Sequence, residues 1–147
     1  MSTDWFWEGN VIDCLEKHLK DLGWSIVGKA DTASRQTGVD LHAKKGDIEL
    51  LIEAKGYPST TYQRGARQGM PKPTNPSTQA RHWYAEVVLC AMLRLHDHPS
   101  ATVAIAFPEF PVFTSMVSRT QDSLRKLGLR VIFVTESGKI RVVGDLI

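Results

Sequence analysis

The chain has 147 residues, a net charge of +2, 42% apolar residues and 23% charged residues. These values are ordinary for a soluble globular protein, and the length favours one domain with a sizeable core, predicted over residues 1–147. No apolar run approaches the roughly 20 residues of a membrane span, and the first residues lack the basic and apolar regions of a signal peptide. We therefore expect no membrane association, a cytoplasmic location, and free thiols at Cys14 and Cys90, which lie in apolar helical patterns.

The first predicted element is a helix over residues 5–22, and Gly23 is placed to end it. Its apolar residues recur at intervals of three and four: Ile12, Leu15, Leu19 and Leu22. At about 100° per residue, Glu8 lies on the axis of this stripe and Glu16 at its edge. Because an unpartnered buried carboxylate is costly, Glu8 is a candidate site residue. The alternative is an exposed first turn, where helices favour acids.

A strand over residues 24–30 and a polar loop over residues 31–37 are predicted next. Residues 38–55 then read as two short strands joined at Lys45-Gly46-Asp47. The first of these strands carries one acid, and the second ends in an acid and a lysine. The chain therefore predicts a three-stranded meander with charged residues at one end.

Asp40, Glu53 and Lys55 are the candidate site residues of this hairpin. Side chains alternate along a strand, so Glu53 and Lys55 share a face, and strand pairing brings Asp40 beside them. The two carboxylates, with the carbonyl of Ala54, are oxygen ligands of the kind that Mg²⁺ prefers. Lys55 would orient a water or stabilise phosphoryl charge. The alternative is a solvated edge hairpin, since exposed sheet faces often carry such residues.

The interval between Glu53 and Glu86 contains no acidic residue, and its first part, residues 56–78, is rich in Gly, Pro, Ser and Thr. A loop this long is usually functional or mobile. The interval holds cations and aromatic residues of the types that contact phosphates and stack on bases. Most of them lie in residues 56–78, which we call the basic segment. The candidate DNA-binding residues are Tyr57, Tyr62, Arg64, Arg67, Lys72 and Arg81. A flexible solvated loop is the alternative.

Asn75 and Pro76 predict the start of a second helix, with the first as cap and the second in the first turn. Its predicted apolar face comprises Ala80, Trp83, Tyr84, Val87, Val88, Ala91, Met92 and Leu95. Gln79 lies in the first turn beside the basic segment, where it would hold a water or a phosphate oxygen. A capping or surface amide is the alternative role.

The remaining pattern predicts a buried strand over residues 101–107, a helix over 112–127, and strands over 129–135 and 139–143. The complete order is αβββαβαββ. This order predicts a mixed sheet with helices on both faces.

This order, with Asp40 on the second strand and Glu53-Ala54-Lys55 on the third, resembles the PD-(D/E)XK nuclease superfamily. That superfamily includes type II restriction enzymes, Mrr-like enzymes and archaeal-type Holliday junction resolvases. The resemblance covers roughly residues 5–107 and implies an α/β fold with a restriction endonuclease-like αβββαβ core, a mixed central sheet flanked by helices. The sequence departs from the family in one place, since Gly38-Val39 and not a proline precedes the aspartate.

The resemblance implies a role for each matching residue. In the family, the acids matching Asp40 and Glu53 bind Mg²⁺ or Mn²⁺, and the lysine matching Lys55 positions or deprotonates the attacking water. Members often add an acid from the first helix, which Glu8 matches better than Glu16. Some carry a glutamine at the start of the helix after the core, and Gln79 lies there.

The implied activity is metal-dependent hydrolysis of DNA phosphodiester bonds by an endonuclease. Arg64, Arg67 and Lys72 would hold the DNA backbone, with little readout of sequence. One alternative is a non-cleaving DNA-binding or targeting module with the same fold. Another is an interaction protein whose hairpin acids form a solvated face. The sequence leaves open whether the protein forms a homodimer.

Overall fold

The computed structural model describes residues 4–30 and 38–144, so the loop predicted over residues 31–37 lies outside the described residues. The helices and strands follow the predicted order. They are α1 (Glu8–Asp21), β1 (Ser25–Lys29), β2 (Leu41–Lys45), β3 (Ile48–Ala54), α2 (Pro76–Asp97), β4 (Thr102–Pro108), α3 (Pro111–Leu127), β5 (Leu129–Val134) and β6 (Ile140–Val143).

The six strands form one open mixed sheet in the order β1-β2-β3-β4-β5-β6. The pairs β1–β2, β2–β3 and β5–β6 are antiparallel, whereas β3–β4 and β4–β5 are parallel. Parallel neighbours need crossover connections, which α2 and α3 provide. Helix α1 covers one face of the sheet, and α2 and α3 cover the other. The predicted α/β class with a restriction endonuclease-like core is confirmed.

Strand β3 is covered on both faces. Leu50, Ile52 and Ala54 pack on the side of α1, and Leu51 packs on the side of α2. Alternation along the strand therefore directs Glu53 towards α2. The carboxylate is not on an open face, since Glu53 is only 6% exposed. The alternative of a solvated edge hairpin does not fit this burial.

Helix α1 begins at Glu8, three residues later than the apolar pattern predicts. Trp5 and Phe6 lie before it and pack instead against Phe110. The rings of Trp5 and Phe110 are nearly parallel, with centroids 5.3 Å apart. These aromatic contacts with a distant segment outweigh the local helical pattern. The predicted end is correct, and Gly23 follows it with a φ of +88°.

Helix α2 begins as predicted, since the Asn75 side chain accepts a hydrogen bond from the Ser77 backbone N–H at 2.8 Å. Its fully buried residues are Ala80, Tyr84, Val87 and Ala91. The predicted apolar face is too wide at one edge. Met92 is 42% exposed, because it lies about 110° around the helix from the centre of the buried face.

The state of the cysteines and the predicted lack of a membrane span can be compared with the structure directly. Cys14 and Cys90 are free thiols as predicted, although each is only half-buried. Across the described ranges, none of the helices has the length and apolar character needed to cross a membrane.

Candidate functional site

The candidate site lies at the carboxyl end of β3. Asp40 directly precedes β2, one residue short of the strand on which it was predicted. Because Leu41 pairs with Ile52, the antiparallel register brings Asp40 opposite Glu53. Asp40 Oδ2 accepts a hydrogen bond from the Ala54 backbone N–H at 2.8 Å. The carboxyl groups of Asp40 and Glu53 are close enough for the ionisation of each to affect the other.

The buried carboxyl pair resists losing its last proton. Burial and the charge of Asp40 raise the pKa of Glu53 to about 7, although a hydrogen bond from Arg94 opposes this shift. In that bond, Arg94 Nε lies 2.6 Å from Glu53 Oε1. Burial also raises the pKa of Asp40, against the effect of the bond from Ala54. The metal-free pair therefore holds a proton close to neutral pH.

Glu8 reaches the site because Gly56 allows a close approach of two backbones. A Cβ atom at Gly56 would lie 2.6 Å from the Phe6 carbonyl oxygen and 2.7 Å from the Glu8 backbone nitrogen. The Tyr57 N–H donates to that Phe6 carbonyl at 3.0 Å, which fixes the start of α1 against the end of β3. Burial and the nearby charge of Asp40 raise the pKa of Glu8 to about 7.

Glu16, the other candidate acid of α1, lies elsewhere. Its carboxylate accepts from Lys20 at 2.7 Å and pairs with Lys29 at 2.8 Å. The hydrogen bonds from these two lysines lower the pKa of Glu16. The structure therefore brings Glu8 to the site and leaves Glu16 in a solvent-facing ion-pair cluster.

Lys55 is a charged group that points towards α2. Its Nζ donates to Glu86 Oε1 at 3.0 Å and lies 5.9 Å from the centre of the Trp83 ring. Burial lowers the pKa of Lys55, but the bond to Glu86 and the charges of Glu8 and Asp40 outweigh this effect, so the pKa is raised. A protonated lysine can donate a hydrogen bond but cannot accept a proton. Of the two roles predicted for Lys55, positioning a water fits this state and deprotonating it does not.

One face of α2 supplies the other side of the site. Gln79, Trp83, Glu86 and Arg94 lie within about 80° of each other around the helix. The Oε1 atom of Gln79 is buried and has no hydrogen-bond partner in the described part of the protein. Such an atom is costly unless a ligand or water completes it. Gln79 was predicted as a site residue from the sequence, whereas Trp83 was predicted in the core and Glu86 and Arg94 were not predicted. Their helical spacing from Gln79 is the signal that identifies them.

The segment between β3 and α2 folds back on itself. Thr61 and Pro71 form an antiparallel bridge, and the Gly69 N–H donates to the Tyr62 carbonyl at 2.8 Å. The Arg67 guanidinium lies 5.7 Å from the centre of the Tyr62 ring and also contacts its hydroxyl. The segment predicted as a long loop thus has local structure, and this cation and this aromatic ring contact each other.

The other candidate DNA-binding residues differ in position. Arg64 and Lys72 line a cavity of about 440 Å³ next to the site. Tyr57 also lines it, but one face of its ring is covered by Phe110, with centroids 3.9 Å apart. Arg81 is exposed and lies about 160° around α2 from Gln79, so the structure does not bring it to the site.

The arrangement of carboxylates can be compared with the needs of a metal ion. Within residues 4–30 and 38–144, no three His, Cys, Asp or Glu side chains form a group spaced to hold a metal. Mg²⁺ is usually held by one or two protein carboxylates and several waters. The Asp40–Glu53 pair, brought together by the strand register, fits that requirement, and Glu8 would act through water. Arg94 occupies one oxygen of Glu53, so a metal would compete with this ion pair.

Comparison with known proteins found similarity only among solved structures, since no family model and no curated protein matches the chain. An XisH family protein from Nostoc punctiforme PCC 73102 superposes with a TM-score of 0.53 at 10% identity. A FdxN element excision controlling factor protein from Anabaena variabilis superposes with a TM-score of 0.51 at 12% identity. Each match covers 91% of this chain and 98% of the other. At such identities the likeness shows a shared fold.

Proposed function

We propose that this protein is a metal-dependent DNA endonuclease of the PD-(D/E)XK type. The observation that carries the proposal is the convergence of Asp40, Glu53 and a protonated Lys55 at the end of β3. Groups with strongly perturbed pKa values in a cleft are candidates for catalysis. A divalent ion bound there would supply a nucleophilic water at neutral pH and stabilise phosphoryl charge.

The residues divide into four proposed roles. Asp40 and Glu53 would hold Mg²⁺ or Mn²⁺, and Glu8 would orient one of its waters. Lys55 would donate a hydrogen bond to the attacking water or to a phosphate oxygen, held in place by Glu86. Gln79 would contact the substrate or a water through the carbonyl oxygen that has no partner among the described residues.

The fold comparison is compatible with this proposal but does not carry it. One structural neighbour is named as a controlling factor in the excision of an element. The identities are low, so the argument for this chain rests on its own site residues.

The direct test is incubation of the purified protein with supercoiled plasmid, linear duplex and single-stranded DNA in the presence of Mg²⁺ or Mn²⁺. We expect cleavage that EDTA stops and that Asp40→Asn and Glu53→Gln each abolish. A folded protein that cuts none of these DNAs with either metal would overturn the proposal. Cleavage that persists in both variants would point to a contaminating nuclease.

The alternative function is a DNA-binding module that does not cleave. The specific observation in its favour is the ion pair of Glu53 and Arg94, which occupies an oxygen of a candidate metal ligand. Calorimetric titration of Mn²⁺ into the wild type and into Arg94→Met separates the two functions. A nuclease should bind Mn²⁺ more tightly after Arg94→Met, since a competitor is removed. A non-cleaving module should bind no metal in either form.

A further inference from the structure

A cavity adjoins the candidate metal site and opens towards the basic segment. The larger part, about 440 Å³, is lined by Trp7, Trp83, Arg64 and Lys72, among others. A smaller part of about 200 Å³ shares Trp7, Trp83 and Arg64 with it and also reaches Lys55. Because both parts share these walls, the cavity runs from the site lysine to the basic segment. Its size falls within the range of small-molecule binding sites.

Two tryptophan side chains form its aromatic walls. Both are half-buried, so each keeps part of its ring accessible. In residues 4–30 and 38–144 neither Trp7 nor Trp83 packs against another aromatic ring, whereas Trp5 and Tyr57 both stack on Phe110. Lys55 Nζ lies over the Trp83 ring, 5.9 Å from its centre, and the Trp7 ring lies against Gly9. Each cavity tryptophan therefore has part of one face covered, and a flat ligand would contact the part of the ring that stays exposed.

The position of Trp7 is specified by its neighbours and not by its own helix. Trp7 is the N-cap of α1, a position that favours Ser, Thr, Asp or Asn, and its side chain makes no capping bond. Its indole folds over Gly9, where an added Cβ would lie 2.2 Å from ring atom Cζ3. A capping bond is therefore absent at this position, and a glycine accommodates the ring. Such a local departure from helix rules is expected at a functional position.

Charge and polar groups complete the lining. The cations in the lining are Arg64 and Lys72, and Gln68 adds a side-chain amide. Gln63 also lines the cavity, but its Nε2 donates to the carbonyl and the hydroxyl oxygen of Thr61. Asp4 also lines the larger part. Aromatic faces combined with cations are the groups that bind unpaired nucleotides, because every base has a face that can stack.

We propose that this cavity receives an unstacked nucleotide, so that the protein acts on single-stranded DNA or on single-stranded regions within a duplex. The base would lie against Trp7 and Trp83, and the adjoining phosphate would reach Lys55. A paired base is not available to such a cavity unless it is first extruded from the stack. This inference rests on the proposed function in so far as the nucleic acid occupies the same site.

The test is a binding assay in EDTA, where no metal-dependent cleavage occurs. Binding is measured by the fluorescence anisotropy of labelled DNA. The ligands are a single strand of about 12 nucleotides, the same sequence as duplex, and the same strand with abasic positions. We expect the single strand to bind more tightly than the duplex. We also expect the abasic strand to bind more weakly than the intact strand, because it keeps the phosphates and loses the bases. Equal binding of intact and abasic strands, or stronger binding of duplex, would overturn the inference.

Variants locate the interaction. Trp7→Leu and Trp83→Leu should each weaken single-strand binding by about 5- to 150-fold and reduce the preference over the abasic strand. Trp5→Leu is the matched control, since this residue is two positions before Trp7, stacks on Phe110 and does not line the cavity. DNA binding by this variant should stay near wild type. An equal loss in all three variants would contradict the assignment. Because the abasic comparison uses the wild-type protein, a variant that fails to fold does not remove the test.

The outcomes distinguish this inference from the proposed function. A preference for single strands without any cleavage by the folded protein would retain the inference and overturn the nuclease proposal. EDTA-sensitive cleavage of duplex without a preference for unpaired bases would retain the nuclease and overturn the inference.

Discussion

Acids of helix α1 belong to two charged clusters whose ionisation behaviour is opposite. The surface cluster consists of Asp13, Glu16, Lys20 and Lys29. The site cluster consists of Glu8, Asp40, Glu53, Glu86, Lys55 and Arg94. In the surface cluster, hydrogen bonds lower the pKa of Glu16 and raise that of Lys29, so both charges are favoured. In the site cluster, burial raises the pKa of Glu8 and of Glu53 to about 7.

The two clusters differ in the ratio of acids to cations and in how deeply the carboxylates are buried. The surface cluster pairs two acids with two lysines in contact with water, an arrangement typically worth about 0–1 kcal/mol per pair. The site cluster brings four acids together with two cations, counted over the described residues, and its central acid is almost fully buried. Acids in excess of the available cations lower the stability of the fold when they are buried. A protein can retain such acids for function if a bound metal ion neutralises their charge. The predictions below test this contrast.

Among the charged residues that would not hold the metal themselves, the largest effect is expected from Lys55→Ala. Removal of one preorganised donor from a charged transition state typically costs about 100- to 1,000-fold in rate. Cleavage should fall by that factor, whereas calorimetry should show metal affinity near wild type. Lys29→Ala, in the surface cluster, is the matched control and should leave cleavage unchanged. A loss of metal binding together with activity would contradict the positioning role of Lys55.

The next effect separates the two acids of α1. Glu8→Gln should weaken metal-dependent cleavage by about 10- to 100-fold, the range for a residue that orients a metal ligand. Glu16→Gln should leave cleavage near wild type, because Glu16 bonds only to exposed lysines among the described residues. Rates measured across a range of Mg²⁺ concentrations would check this. An essential Glu16 and a dispensable Glu8 would show that catalysis does not use the site cluster.

The acids of the site cluster and of the surface cluster should make the stability of the metal-free protein depend on pH in opposite ways. Folded Glu8 and Glu53 hold protons up to a pKa of about 7, whereas the ordinary value is 4.5. The folded state therefore binds more protons than the unfolded chain between these values, and stability falls as the pH rises from 4.5 to about 7. The lowered pKa of Glu16 stabilises the fold above 4.5, and this contribution is lost at lower pH.

Melting temperatures of wild type, Glu8→Gln and Glu16→Gln, measured in EDTA across this pH range, provide the check. Glu8→Gln should reduce the decline between 4.5 and 7 and melt higher than wild type above pH 7. Glu16→Gln should remove the contribution of Glu16 above pH 4.5, so that the melting temperature changes less with pH on the acid side of this range. A wild-type melting temperature that rises steadily to pH 7 would contradict the raised pKa values.

The smallest effect concerns the basic segment. Residues 63–71 are exposed, and backbone hydrogen bonds such as the one from the Gln68 N–H to the Gly65 carbonyl are local. Their amides should therefore exchange rapidly with solvent in the free protein. Single-stranded DNA in EDTA should slow this exchange, as Arg64 and Lys72 become covered. Hydrogen exchange followed by mass spectrometry measures both states, with β4 as a protected reference. Protection of the segment equal to that of β4 without DNA would show a packed structural loop.

Much of the fold follows from interactions within a few residues, and the sequence predicted those parts correctly. Asn75 caps α2 through its own side chain, and Gly128 ends α3 with a φ of +82°. Alternation along β3 predicted that Glu53 and Lys55 share a face, and both contact α2. Local rules failed at Trp5, which the apolar pattern placed in α1, because contact with Phe110 is a distant interaction.

The candidate site was predictable only in part, for the same physical reason. The positions of Asp40 and Glu53 follow from the register of one hairpin, and the position of Glu8 on the inner face follows from the helical period. By themselves these patterns did not indicate that Arg94 reaches Glu53 across 41 residues of chain, or that Gly56 allows α1 to approach β3. The sequence determined which residues share a face within each element. The packing of α1 and α2 against the end of β3 decided which of these faces contact each other. The pKa values of the site residues depend on this packing, because burial and the distances between charges are properties of the assembled fold.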